Sequence, residues 1–235
     1  MTPETKKRIE LALAAGILVA GLRTAYILYE RHASQSQQAE TRELPLNADY
    51  YITPKKLYPY DLKSARQLIQ QPVWVKEGYR YTYYPYANRH TDFAHEAGLL
   101  LPIEKLEIKD VVTDLTPHTP DQRQVMAVFE KDAKTYAFPI GSVKGSDYQI
   151  YSDEMLYIQD PHDLYKHWPP DVWQSIEEHQ VKPGMNELQA DFAIGMGVPD
   201  RSSDPDIKTV HYPNGDHPLT ITYQDGKAAQ IRQGS

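Results

Sequence analysis

The sequence predicts an α+β protein with an N-terminal transmembrane helix, a Tyr-rich and mainly antiparallel β domain, and a small module of two helices and three antiparallel strands. Three observations lead to this prediction. A basic flank and an apolar run open the chain, apolar residues alternate with period two after residue 72, and two capped helices precede three strand-like runs after residue 170. We therefore expect four segments, with bounds 1–29, 30–43, 44–170 and 171–235.

The first segment is an apolar run, Ile9 to Tyr29, that follows Lys6-Lys7-Arg8. Its uncharged part, Leu11 to Leu22, has about twelve residues, a length typical of a signal-peptide core. The residues up to Tyr29 extend the run to about nineteen, which is close to the thickness of a bilayer. We interpret it as an uncleaved signal anchor. The alternatives are a cleaved signal peptide, with Val19-Ala20-Gly21 as the cleavage site, and a peripheral amphipathic helix.

The basic flank also predicts the location of the protein. Lysine and arginine favour the cytoplasmic side of a membrane, so the rest of the chain is expected to be exported. The expected location is the bacterial inner membrane, as a single-pass protein with its bulk in the periplasm; the alternative is secretion after signal cleavage. The membrane is then a partner through residues 9–29, and residues 30–43 contain no large apolar residue and are typical of a linker.

Composition excludes several classes of function. A net charge of −7 argues against binding of nucleic acid, which favours a basic face. The absence of cysteine excludes disulfides, thiolate zinc sites, a cysteine nucleophile and a lipid-modified cysteine anchor. A hydrophobic content of 40% is ordinary for a globular protein with its own core.

The segment 44–170 is predicted to be mostly strands. Asp61 caps a short helix, Leu62 to Gln70, and Glu77-Gly78 has the composition of a hairpin turn between the strands before and after it. Lys131-Asp132-Ala133-Lys134 is predicted to be a second hairpin turn. Alternation predicts four further strands, in a small barrel or sheet: Leu106 to Val112, Val125 to Phe129, Thr135 to Phe138 and Tyr148 to Ile158.

The segment 171–235 changes to helical spacing. Asp171 is predicted to cap a helix from Val172 to Gln180, and Asn186 a second helix that runs through Ile194 and ends at Gly195. Three strands with hairpin-type turns follow: Ile207 to Tyr212, Leu219 to Tyr223 and Lys227 to Ile231.

This last segment also carries a family-like pattern. Gly184-Met185 opens the second helix, Leu188-Gln189 lies inside it, Ala193-Ile194-Gly195 ends it, and Asp225-Gly226-Lys227 closes the strands. Over about residues 171–232 the pattern resembles the small SmpA/OmlA (BamE-like) domain. Asn186 stands where family members usually have threonine, and Met196-Gly197 is an insertion before the usual proline. The resemblance implies two helices on a three-stranded antiparallel sheet and a non-catalytic binding or scaffolding role in the bacterial envelope.

The candidate binding surface is a cluster of aromatic residues in the β domain. Tyrosine offers a flat face and a polar tip, which suits binding of a sugar or a peptide. Alternating tyrosines also simply fill a half-buried sheet, and this second interpretation stays open. The residues of the candidate surface are Trp74, Tyr79, Tyr81, Tyr83, Tyr84 and Tyr86; Tyr50, Tyr51, Tyr58 and Tyr60 extend the tyrosine belt.

The densest metal-like group is His90, Asp92, His95 and Glu96. Its two histidines lie five residues apart rather than the four that bring two helical histidines to one zinc ion, so a polar loop is the simpler interpretation. The adjacent carboxylates Asp153-Glu154 and Glu177-Glu178 are typical of a solvated surface. We expect no catalytic site, no cofactor and no metal.

The expected function is therefore a non-catalytic protein-interaction or scaffolding module, with other envelope proteins as its partners. Two alternatives belong to other classes. One is a carbohydrate- or peptidoglycan-binding module that uses the tyrosine belt, with a glycan as its ligand. The other is a metal-dependent hydrolase built around His90 and His95.

Overall fold

A computed structural model describes residues 21–27, 29, 48–78, 80–115, 122–201, 204, 206–215 and 217–234. The chain divides into two compact units, Met1–Tyr51 and Ile52–Ser235. In the first unit, residues 21–27 are helical and a 3-10 helix, η1, covers Ala48–Tyr51.

The predicted anchor and linker lie in the first unit. Residues 1–20 and 28 of the anchor segment and all of the predicted linker, 30–43, are outside the described residues. Within the described part of the chain, no helix is long and apolar enough to span a bilayer. The transmembrane helix stays a prediction.

In its described residues, the second unit contains short helices and fourteen strands. The helices are α1 Leu62–Ala65, η2 Arg66–Gln70, α2 Ser152–Met155, α3 Pro161–Leu164, α4 Pro170–Glu177 and α5 Glu187–Ile194. The strands are β1 Val73–Val75, β2 Thr82–Ala87, β3 His90–Thr91, β4 Gly98–Leu99, β5 Lys105–Leu106, β6 Ile108–Leu115, β7 Arg123–Lys131, β8 Lys134–Lys144, β9 Asp147–Ile150, β10 Leu156–Tyr157, β11 Val198–Pro199, β12 Ile207–Tyr212, β13 Leu219–Gln224 and β14 Lys227–Gln233. Every strand pair is antiparallel, which confirms the predicted α+β class.

The largest sheet has the strand order β3-β2-β8-β7-β6, with β4 paired to β2 and β9 paired to β8. The predicted turn between β7 and β8 is confirmed, because Asp132 and Ala133 adopt φ values of 50° and 60° and Lys131 pairs with Lys134. At the far ends of the sheet, Asp114 of β6 accepts a hydrogen bond from the backbone N–H of Thr91 in β3 at 2.6 Å. The two end strands therefore meet, and the sheet is curled.

The predicted hairpin around Glu77-Gly78 is wrong. Strand β1 lies in a separate sheet with the order β10-β1-β5, and it does not pair with β2. The turn region is held instead by distant partners: the Glu77 carboxylate accepts from the Tyr157 hydroxyl, and the Gly78 carbonyl accepts from the Met196 N–H at 3.2 Å. The predicted strand 148–158 is likewise divided, since α2 separates β9 from β10.

The C-terminal elements form two helices and a four-stranded sheet with the order β11-β12-β13-β14. The three predicted strands are confirmed, and β11 is an additional edge strand. Asn186 caps α5 through a capping box with Gln189, as predicted. The prediction that Asp171 caps the preceding helix is wrong: α4 begins at Pro170, whose fixed φ suits the first helical position.

Two main hydrophobic clusters fill the second unit. The first lies between the curled sheet and the helices α1 and η2; among its buried residues are Leu68, Val73, Val111, Phe129, Phe138 and Ile140. The second lies between the C-terminal sheet and its helices; among its residues are Trp74, Tyr157, Tyr165, Trp168, Trp173, Ile176, Phe192, Tyr212, Ile221 and Tyr223. The second cluster has members on both sides of residue 170, and the predicted domain boundary there stays a prediction.

Candidate functional site

The residues of the predicted aromatic surface are divided among different environments. Trp74 is 8% exposed and belongs to the second cluster, whereas Tyr83 is 9% exposed and belongs to the first. Tyr84 and Tyr86 point to the opposite face of β2 and pack against a third, smaller cluster around Met126 and Val128.

Of the remaining members of the predicted aromatic surface, Tyr81 does not complete a shared surface with the others. Tyr81 is half-buried against the first cluster, and Tyr79 lies outside the described residues. The Tyr83 ring makes edge-to-face contacts with Phe129 and Tyr136, at centroid distances of 5.5 and 5.0 Å. The described residues of the predicted set therefore act as sheet and core side chains, because alternation along β2 sends neighbours to opposite faces, and they do not form one exposed surface.

The predicted metal-like group is separated into two pairs. His90 Nδ1 lies 3.0 Å from Asp114 Oδ1, and His95 Nδ1 lies 2.8 Å from Asp92 Oδ2. Burial acts to raise the pKa of Asp114, but hydrogen bonds from the backbone N–H groups of Thr91 and Leu115 hold that pKa below its usual value. Among the described residues, no group of three or more His, Asp or Glu side chains is arranged to hold a metal ion.

An open hollow of about 430 Å³ lies beside α4. Its wall includes His162, whose ring stacks on Trp173 at a centroid distance of 4.0 Å. The two histidine nitrogens lie 2.9 Å from Asp160 Oδ1 and 3.2 Å from Glu177 Oε1. Trp173 is only 8% exposed, because His162 stacks on its ring and Trp168 and Phe192 also pack against it. The indole ring of Trp173 in this hollow is therefore covered, whereas stacking of a sugar requires an exposed aromatic ring.

The outer face of the C-terminal sheet, which we call the outer sheet face, is open to solvent. Cross-strand partners share a face, and the helices pack on the side of Val210 and Ile221. The opposite side is lined by Val198, Ile207, Thr209, His211, Thr220, Thr222, Gln230 and Arg232. Val198 is 67% exposed and Ile207 is 42% exposed.

Short polar contacts order the outer sheet face. Thr209 Oγ1 lies 3.4 Å from Thr222 Oγ1, and His211 Nδ1 lies 3.0 Å from Thr220 Oγ1. His211 Nε2 also lies 3.0 Å from Asp200 Oδ2. The residues that line this surface thus include three threonines and one formally charged side chain, Arg232.

Strand β14 forms one edge of this sheet. The two-residue turn at Asp225-Gly226 makes Gln224 and Lys227 a hydrogen-bonded pair. Hydrogen-bonded and non-hydrogen-bonded pairs alternate along an antiparallel ladder, so the N–H and C=O groups of the next residue, Ala228, point away from β13. Ala228 accordingly donates to the Met185 carbonyl at 2.8 Å and accepts from the Gly184 N–H at 2.9 Å.

Beyond Ala228 the edge of β14 is open. A register shift opposite Thr222 adds one residue to β14, and the alternation then turns the backbone groups of Ile231 and Gln233 outward. In the part of the chain that the structure describes, no other strand pairs with β14 on that side. An open edge of this kind is a template for an additional strand.

The charge of β14 favours one kind of partner. Its seven residues include Lys227 and Arg232, both exposed, and no carboxylate. The chain as a whole carries −7, so this edge differs in sign from the rest of the molecule. An added strand with acidic side chains would match it.

A polar cluster of two buried tyrosines and the half-buried Asp191 lies on the inner side of the same sheet. Asp191 of α5 accepts a hydrogen bond from Tyr212, and the hydroxyls of Tyr212 and Tyr223 lie 2.8 Å apart. Burial, and next the nearby Glu187 carboxylate, raise the pKa of Asp191 to about 7. Burial also raises the pKa of both tyrosines above the usual value.

A second carboxylate lies near this cluster. The Glu77 side chain accepts a hydrogen bond of 2.5 Å from the Tyr157 hydroxyl, and burial raises its pKa. Tyr157, Tyr212 and Tyr223 are each at most 2% exposed, whereas Glu77 and Asp191 are half-buried. A catalytic role for the tyrosine hydroxyls would need an opening to solvent that their burial does not provide.

Comparisons of the chain with models of protein families, with curated proteins and with solved structures find no match. The inferences about function therefore depend on the residues alone. Sequence reasoning did not find the open edge of β14 or the half-buried position of Asp191. The signals in the sequence were the strand after Asp225-Gly226 and an acidic residue inside the apolar stretch of α5.

Proposed function

We propose that this chain is a single-span, membrane-anchored envelope protein that acts as a non-catalytic interaction module. In this proposal an extended segment of a partner protein adds to the open edge of β14. The single observation that carries the proposal is that edge, whose outward backbone groups at Ile231 and Gln233 lack a strand partner among the described residues. The low charge of the outer sheet face supports it, since such a surface loses little on desolvation.

The proposed location depends on the N-terminal sequence. Lys6-Lys7-Arg8 before the apolar run supports a cytoplasmic N-terminus and a periplasmic bulk. The uncleaved protein is expected to stay in the membrane fraction after a carbonate wash. N-terminal sequencing that begins near Leu22 or Tyr26 would favour a cleaved signal peptide and secretion instead.

The likeness to the SmpA/OmlA domain remains part of the proposal. Two helices on an antiparallel sheet are the layout that this likeness implies, and the additional strand β11 departs from it. A binding or scaffolding role follows from the likeness and, independently, from the open edge.

The partner is proposed to be an extended and acidic segment of another envelope protein. Main-chain hydrogen bonds to β14 would give most of the affinity, and carboxylates opposite Lys227 and Arg232 would give selectivity. Both side chains are exposed, so reversing their charge leaves the core intact.

The test is affinity capture of the detergent-solubilised chain with and without Lys227→Glu/Arg232→Glu. A matched control is Lys134→Glu/Lys144→Glu, which reverses two exposed charges on β8. We expect the edge variant to lose a specific partner by about tenfold or more, and the control to keep it. Hydrogen exchange should then show the Ile231 and Gln233 amides protected by the captured partner. Equal capture by both variants would refute the proposal.

A further inference from the structure

Residues 52–66 present two exposed tyrosines between lysines. Tyr58 is 69% exposed and Tyr60 is 77% exposed, the highest values for large hydrophobic side chains among the described residues of the second unit. Pro59, between them, is buried, and Leu57 packs against the first hydrophobic cluster. The alternation turns both phenol rings to the same side of the segment, away from the core. We call Lys55, Lys56, Tyr58, Tyr60 and Lys63 the tyrosine–lysine patch.

The segment that carries this patch is held in place. Its backbone is bonded at both ends: the Lys55 N–H donates to Gln159 Oε1 at 2.7 Å, and the Tyr60 N–H donates to Ser64 Oγ at 3.0 Å. Asp61 and Ser64 complete a capping box at the start of α1. Because the backbone is already ordered, contact with a surface costs little additional entropy.

The charge of the segment is opposite to that of the chain. Residues 52–66 contain four basic residues, Lys55, Lys56, Lys63 and Arg66, and one acidic residue, Asp61, in a chain with a net charge of −7. Two of the basic groups have acidic neighbours: Lys56 Nζ lies 3.7 Å from Asp153, and Arg66 Nε lies 3.5 Å from Asp110. When these two neighbours are counted, four basic groups face three acidic groups, so the local charge is positive by one and lies beside the exposed rings.

We propose that the tyrosine–lysine patch binds the anionic headgroup surface of a membrane. Tyrosine places its ring at headgroup level with its hydroxyl in water, and lysine reaches lipid phosphates with its long side chain. Each lysine near an anionic leaflet strengthens binding by about fivefold. This membrane contact is a separate interaction from the proposed binding of a partner strand at β14, and it depends on the proposed anchor only as a tether.

The tether makes such a contact feasible. The chain between Tyr29 and Lys55 reaches at most about 90 Å when fully extended, so the patch can return to the bilayer that holds residues 9–29. Because the anchor would hold the patch at a high effective concentration near the bilayer, a patch with low intrinsic affinity for lipid is sufficient for contact.

The test uses the full chain in lipid nanodiscs. The protein has no cysteine, so Thr53→Cys, at an exposed position in the segment, gives a single site for an environment-sensitive fluorophore. Discs of phosphatidylcholine alone are compared with discs that contain about one-third phosphatidylglycerol. A label at Gln230→Cys on the outer sheet face is the control for nonspecific adsorption.

We expect a blue-shifted emission at position 53 in anionic discs, which is reversed when sodium chloride is raised to about 1 M. In anionic discs, Lys55→Glu/Lys56→Glu should lower the shifted fraction at least tenfold, and Tyr58→Ser/Tyr60→Ser should also lower it. Tryptophan emission of Trp168 and Trp173 reports that each variant is folded.

Three results would overturn the proposal. One is equal emission in neutral and anionic discs, and the second is the absence of any shift, whether or not the chain stays with the discs. The third is a shift caused by soluble poly-glutamate but not by phosphatidylglycerol, which would point to an acidic protein as the partner. Capture at β14 is measured separately, so failure here leaves the proposed interaction function standing.

Discussion

Asp191 provides the sharpest test of the buried interior of the C-terminal elements. Its carboxyl group lies between α5 and the inner face of the sheet, and its Oδ1 atom has no hydrogen-bond partner among the described residues. The substitution Asp191→Asn keeps the shape of the side chain and removes its charge. We expect the variant to be more stable than the parent at alkaline pH and to lose a pH dependence that the parent shows.

The sign and size of the pH dependence of stability follow from the pKa of Asp191. Folding raises the pKa of Asp191 from 3.8 to about 7, so the folded state binds the proton more tightly and ionisation opposes folding. Stability is therefore full below about pH 4 and decreases as the pH rises through 7. The complete shift corresponds to about 4 kcal/mol, of which about 2–3 kcal/mol falls between pH 5 and pH 8. Burial also raises the pKa of Glu77, so ionisation of this carboxyl group adds to the decrease in stability as the pH rises.

The assay is urea unfolding of the chain in non-ionic detergent, followed by tryptophan fluorescence at several values between pH 5 and pH 8. Trp168 and Trp173 are buried in the same cluster as the Asp191 neighbours and report its loss. Asp171→Asn, at an exposed position on α4, is the matched control and should keep the slope of the parent. Parallel pH profiles for the parent and Asp191→Asn would refute the reasoning.

Two further predictions concern packing. Phe192 is fully buried among Tyr165, Trp168 and Trp173, so Phe192→Ala should lower the free energy of unfolding by about 3–5 kcal/mol; a loss below 1 kcal/mol in the same urea assay would contradict this packing. A Cβ at Gly197 would lie 2.5 Å from Val210 Cγ1 and 2.9 Å from Tyr212 Cδ1, so Gly197→Ala should cost about 1–3 kcal/mol. An unchanged midpoint for Gly197→Ala would show that this loop is not seated on β12.

Local sequence signals predicted part of the local structure, although the cap at Asp171 and the hairpin turn at Glu77-Gly78 were wrong. The capping box at Asn186 and the turn at Asp132-Ala133 depend on neighbouring residues only, and both are present. Trp173, Ile176, Phe192, Ile221 and Tyr223 are buried in one hydrophobic cluster, and Leu188 packs against it. Helical spacing and strand alternation indicate which side of an element faces a core.

Contacts between distant segments could not be predicted in the same way. Strand β1 pairs with β10, more than 80 residues later, and no turn sequence indicates this pairing. The aromatic surface failed for a related reason, because alternation alone does not reveal that both faces of β2 are covered. The environment of Asp191 depends in the same way on distant residues, because Tyr212 of β12 and Tyr223 of β13 supply the hydroxyl groups beside it.

The measurement that tests the central claim most directly is site-specific photocrosslinking in cells that make this protein. A photoreactive residue replaces Gln233, whose backbone faces the open side of β14, or Gln149, an exposed residue of β9, as the control. We predict a discrete adduct with one partner at position 233, lost on Lys227→Glu/Arg232→Glu, and none at position 149. No adduct at position 233, or the same adducts at both positions, would contradict the claim that β14 is the interaction edge.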